Sequence, residues 1–182
     1  MTMRIRRALP IIATLAAAAV AAPAYAATSG GTTTTFVVSG TGLSITVPAS
    51  AALGTGTPGG TVSGALGAVT VTDGRGLLVA SWTASVTSTS FTTGGGTAPE
   101  TVPTTAVSYW SGLATATTGV GVFTPGQATA LLAQALSTSR TAYSLTAGVG
   151  NNSATWDPTI VVAVPAAAVV GTYTGTVTHS VA

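Results

Sequence analysis

Apolar and polar residues alternate along most of this chain with a period of two. Leu43, Ile45 and Val47 fall on one side of a short run and Ser44 and Thr46 on the other. Trp82, Ala84 and Val86 alternate with Ser81, Thr83 and Ser85 in the same way. The longest such run sets Tyr173, Gly175, Val177, His179 and Val181 against Thr172, Thr174, Thr176, Thr178 and Ser180. Alternation of this kind marks a strand with one buried face, and threonine suits the open face because its branched Cβ fits a pleated surface. Residues 159–164, Thr-Ile-Val-Val-Ala-Val, are apolar in both phases, which predicts a central strand covered on both sides. Clusters of Gly, Pro, Asn and Asp at 54–60, 73–76, 94–100, 123–127, 148–153 and 164–171 predict turns. Many short strands between frequent turns give an all-β chain, a single antiparallel β-sandwich with at most one short helix. One segment disagrees. Residues 127–136 place Ala128, Leu131, Leu132, Ala135 and Leu136 at helical spacing, so a strand or a short helix crossing between sheets is expected there.

The first residues follow a different rule. Arg4, Arg6 and Arg7 precede an uncharged apolar run, Ile11 to Ala22, and then Ala24-Tyr25-Ala26. A basic start, a short apolar stretch and an A-x-A site read as a secretory signal peptide over residues 1–26. The apolar run falls short of the roughly 20 residues that a membrane-spanning helix needs. The expected domain is therefore 27–182, secreted and either extracellular or associated with the cell wall, and not membrane-spanning.

Removing residues 1–26 changes the electrostatics. Arg75 and Arg140 then face Asp73, Glu100 and Asp157, a formal charge of −1 in place of the whole-chain +2. Nucleic acid is not an expected partner for such a chain. There is no cysteine and no lysine, so disulfides, amine nucleophiles and lysine crosslinks are excluded. Low charge can signal disorder, but disorder goes with low hydrophobicity, and 46% of these residues are apolar.

Little points to catalysis. His179 is the one histidine, and no G-x-S-x-G elbow frames any serine. One histidine and three scattered acids give neither metal-ligand spacing nor a paired-carboxylate motif. The expectation is no enzyme activity, no metal and no cofactor. Asn151-Asn152-Ser153 matches a glycosylation acceptor pattern but reads more simply as a turn. Trp82 alternates with small and branched residues as a core aromatic does. Tyr109, Trp110 and Trp156, with His179, are the candidate ligand-binding residues, since tryptophan faces and hydrogen-bonding neighbours suit sugars; the alternative is that all three aromatic residues pack the core, where such side chains dominate the energetics.

The stretch Leu66–Val86 contains Val71-Thr72-Asp73-Gly74-Arg75-Gly76 and then Trp82-Thr83-Ala84. It resembles the first half of the WxL domain of Gram-positive cell-surface proteins, in which an acid and an Arg-Gly in a strand-turn precede a W-x-L triplet. Asp73, Arg75, Gly76 and Trp82 match that motif, and Ala84 stands where leucine is expected. The C-terminal strand resembles the one that carries the family's second W-x-L, with His179 and Val181 at the Trp and Leu positions. The low-charge, glycine-rich character points to a divergent actinobacterial member. The resemblance implies a non-enzymatic surface domain held non-covalently on the wall, with peptidoglycan or a wall polysaccharide as partner. The alternative is a structural or adhesive subunit that assembles with other surface proteins through strand edges. Asp73 and Arg75 are expected to clamp the turn before the Trp82 strand rather than to bind a ligand.

Overall fold

The computed structural model describes residues 32–182. Residues 32–37 carry no regular structure and belong to a separate unit from 38–182. The expected signal peptide lies outside the described residues.

Residues 38–182 fold as an all-β, sandwich-like domain, as the alternation predicts. One sheet contains β1 (Leu43–Thr46), β3 (Val69–Asp73), β4 (Ala80–Ser88), β8 (Ala114–Pro125), β10 (Arg140–Trp156) and β12 (Val177–Val181). Its order is β1-β3-β10-β4-β12, with β8 also paired to β10. The second sheet has β2 (Thr61–Ala65), β11 (Thr159–Ala163), β7 (Val107–Trp110) and β9 (Gln134–Ala135) in the order β2-β11-β7-β9. A two-residue pair, β5 (Phe91–Thr92) with β6 (Thr101–Val102), stands apart. Every pairing is antiparallel. The two main sheets share one core, in which Val69, Val71, Trp82 and Leu145 meet Tyr109, Ile160 and Val162.

The first sheet is organised around β10. Strand β8 runs along one edge, while β4 and β3 divide the other between the first and second halves of β10. Arg140 opens the strand and its Nε donates to the Ala135 carbonyl at 3.0 Å. Tyr143 and Leu145 point inward, and then Gly148, Asn152, Ala154 and Trp156 do. The inward set thus changes from odd to even positions. The change falls at the register shift between Leu145 and Gly148, where Ala147 takes a φ of 52°. An extra residue in one strand of a pair is a β-bulge, and it reverses which side chains face the core. Gly148 completes the device, because a Cβ there would lie 2.9 Å from the Ala80 carbonyl oxygen of the adjoining strand.

Three expectations are corrected. Residues 148–153 are not a turn; they lie within β10, and their glycines serve the bulge rather than a chain reversal. The helical spacing in 127–136 produces only a 3₁₀ turn at Ala130–Leu132 and the two residues of β9, with Leu131 fully exposed and Leu136 alone buried among the apolar residues that set the spacing. Strand β11 is central in its sheet, but it buries Ile160 and Val162 alone and leaves Val161 half-buried, so one face is covered and not two.

Ala147 is a non-glycine residue held in the left-handed region, which costs an L-residue roughly 1–2 kcal/mol. Ala147→Gly is expected to raise unfolding stability by about 1 kcal/mol, and Ala147→Val to lower it. Urea unfolding midpoints of the three proteins check this.

Candidate functional site

The buried polar chemistry of the first sheet begins where β3 ends. Asp73 follows Val69 and Val71 on the inner face and is only 1% exposed. The turn that follows bends back onto its carboxylate. The Arg75 backbone N–H donates to Asp73 Oδ1 at 3.0 Å. The guanidinium then grips both oxygens, Nε to Oδ1 and Nη2 to Oδ2, each at 2.9 Å. This fork-on-carboxylate geometry is the strong form of the ion pair. Nη2 also donates to the Ser81 carbonyl at 2.8 Å, tying the turn to β4. Gly76, at a φ of 65°, supplies the left-handed step that closes the turn.

The network continues inward through a residue that sequence reading assigned to a turn. Asn152, buried on β10, directs Nδ2 towards Asp73 Oδ2 at 3.4 Å and the Gly150 carbonyl at 3.3 Å. Its Oδ1 accepts the Trp82 indole N–H at 2.8 Å. The opposite amide orientation would set two N–H donors face to face, so the partners fix it. Arg75, Asp73, Asn152 and Trp82 therefore form one chain of polar contacts across β3, β10 and β4. Hydrogen bonds from Arg75 hold the Asp73 carboxyl below its usual value of 3.8, against the opposing effect of burial. The expected clamp is thus observed, and the burial expected of Trp82 with it. Asn152 was missed because only the bulge turns it inward.

The four candidate ligand residues fare differently. Tyr109 on β7 and Trp156 at the end of β10 are fully buried. Trp156 Nε1 donates to Tyr109 Oη at 3.2 Å, and Tyr109 Oη lies 3.1 Å from His179 Nε2. Since the phenol oxygen already accepts from Trp156, its proton points to His179, whose Nε2 is then an acceptor. Trp156 also stacks on Tyr143, ring centroids 5.0 Å apart. Trp110, at the end of β7, is half-buried and stands outside this hydrogen-bonded trio. The expected aromatic sugar-binding face of Tyr109, Trp110 and Trp156 does not form. Adjacent residues of a strand point to opposite faces, so Tyr109 and Trp110 diverge, and the bulge sends Trp156 into the core. Burial lowers the His179 pKa from 6.5 to about 4 and holds the Tyr109 phenol well above its ordinary value.

Two other surfaces stand out. Leu78 and Val79, 82% and 76% exposed, follow the clamped turn with half-exposed Leu77. The Leu77 carbonyl accepts the Gly150 N–H at 2.8 Å, and Val149 pairs with Val120 on β8, two residues before exposed Val122. These backbone contacts bring the six aliphatic residues together across the middle of β10, at the junction of β3 and β4 beside the clamp. Elsewhere, a cleft of about 890 Å³ opens between β12 and the second sheet, with Leu53, Val62, Phe91, Val177 and His179 among its walls and no charged residue.

No protein-family model, curated protein or solved structure matches this chain.

Removing one partner of a buried ion pair costs about 3–5 kcal/mol because the other charge is stranded. Arg75→Ala is expected to lose stability of that order at pH 7, and less at an acidic pH low enough to protonate the Asp73 carboxyl. Denaturant unfolding at both pH values tests this. His179 generates a second pH effect. The folded state holds it neutral down to about 4, while the unfolded chain protonates near 6.5. The unfolded state binds the proton first, so stability is full above pH 6.5 and falls as the pH drops from there to about 4. His179→Gln is expected to flatten that part of the melting temperature–pH curve.

Proposed function

We propose that this chain is an exported, non-enzymatic cell-surface domain, retained at the wall non-covalently by docking against other wall-borne proteins. The observation that carries this reading is the aliphatic face of Leu77, Leu78, Val79, Val120, Val122 and Val149. A contiguous exposed apolar patch on a folded domain marks an interaction site. This one lies on a frame fixed by the Arg75–Asp73 clamp, and aliphatic side chains match an apolar protein surface better than a sugar ring. Tyr109 and Trp156, two of the three aromatic residues that would have served a glycan, are core residues.

Other features agree. His179 Nε2 is engaged by Tyr109, not by a serine or a carboxylate, which argues against a hydrolytic relay. No helix among the described residues is long and apolar enough to cross a membrane. The resemblance of the Asp73–Trp82 stretch to WxL domains supplies the wall as the setting. It also supplies a second reading, direct binding to peptidoglycan or wall polysaccharide.

Co-sedimentation separates the two. The exported protein is mixed with wall fragments that keep their proteins and with sacculi stripped of protein, each at low and high salt. Retention only by the protein-bearing walls, insensitive to salt and reduced tenfold or more by Leu78→Asp/Val120→Asp, is the expected result. Salt has little to screen because the partner-facing surface carries no charge. Equal binding to stripped sacculi would return the ligand to the wall polymer.

A further inference from the structure

The sandwich is open along one side, and the chain carries a segment suited to close it. Strand β12 lies at the end of its sheet and has one strand partner, β4, among the described residues. An edge strand presents a row of unpaired N–H and C=O groups, which is a template for another strand. Behind that edge lies the uncharged cleft of about 890 Å³, and Val177 and His179 of β12 face into it. Strand β2, whose Val62 lines the opposite wall, is likewise at the end of its sheet.

The segment is Thr32-Thr33-Thr34-Thr35-Phe36-Val37-Val38. Threonine, phenylalanine and valine are strand formers. Yet this run carries no regular structure and leaves Phe36, Val37 and Val38 between 84% and 92% exposed. Three consecutive large apolar residues in water are an unfulfilled strand rather than a linker. In a strand, Thr34, Phe36 and Val38 would share one face. Two apolar side chains would then enter an apolar cleft, with Thr35 and Val37 outside. Five residues, 34–38, match the five of β12. Neither segment nor cleft carries charge, so their association strands none.

We infer that residues 34–38 of one copy add as a strand to the free edge of β12 in a second copy and place Phe36 and Val38 in its cleft. Strand addition of this kind draws affinity from the backbone and selectivity from alternate side chains. Donor and acceptor are different surfaces of the same chain, so the contact is head-to-tail and extends into rings or chains rather than stopping at a symmetric dimer. The inference stands on a different surface from the aliphatic face, and either can fail alone.

Sedimentation of the exported protein over a range of concentrations tests it. Wild type is expected to form dimers and longer species, and Phe36→Asp/Val38→Asp to need at least tenfold more protein for the same average mass. The aliphatic-face variant should still assemble. The chain has no cysteine, so Val37→Cys and Ser180→Cys proteins, mixed under oxidation, should yield a disulfide-linked heterodimer. A monomer at every concentration would overturn the inference. So would assembly unaffected by the two aspartates. A Val37→Cys/Ser180→Cys protein that closes its disulfide within one monomer would show the strand serving its own chain, and would overturn the second copy as occupant.

Discussion

A buried carboxylate must be neutralised, and much of this fold is arranged around meeting that demand for Asp73. Its desolvation is offset by a two-pronged guanidinium, a backbone amide and a buried carboxamide. Each partner comes from a different place: the turn after β3, and β10 through Asn152. Arg75 and Asn152 then reach on to β4, one through the Ser81 carbonyl and the other through the Trp82 indole. Strands β3 and β4 divide one edge of β10, and a junction between two strands on one edge is a natural weak point in a sheet. The polar chain crosses that junction. Its contribution is geometric at least as much as energetic, since a fully satisfied buried network specifies one packing.

The second polar chain, Trp156 to Tyr109 to His179, does the corresponding work between sheets. Trp156 and His179 come from the first sheet and Tyr109 from the second. The Trp156 N–H and the Tyr109 O–H each find an acceptor, so these two fully buried side chains strand no donor. Tyr109 and Trp156, read as part of a binding surface, thus align the two layers. Threonine and serine cover much of the outside, interrupted by the aliphatic cluster over the middle of the β8–β10 pair, by single loop residues such as Leu131 and Val170, and by the open edge at β12.

The alternation in 43–47, 81–86 and 172–181 was enough to identify strands and the all-β class, because each run buries one face only. The Asp73–Arg75 clamp was legible as well: a nearly uncharged chain has few reasons to keep an acid and an arginine two residues apart. Asn152 was not legible. Glycine and asparagine favour turns locally, and nothing in 148–153 signals that a bulge at Ala147 keeps the strand going and reverses its faces. The same reversal buries Trp156. The 127–136 segment misled for the opposite reason. Its apolar spacing is helical, but Leu131 and Leu132 have no core to face, and a helix that short gains little without tertiary packing.

The clamp also bears on how the chain resists proteolysis. Beyond residue 26 the sequence offers a trypsin-like protease two cleavage points, after Arg75 and after Arg140. Both side chains are occupied: Arg75 holds the Asp73 carboxylate and Arg140 the Ala135 carbonyl. A protease needs an extended, unpaired stretch of backbone, so the first cut requires the Asp73 turn to open and the second requires β10 to peel away from β4. Digestion then proceeds through opened states of the domain, at a rate set by how often the central strand and its polar junction come apart.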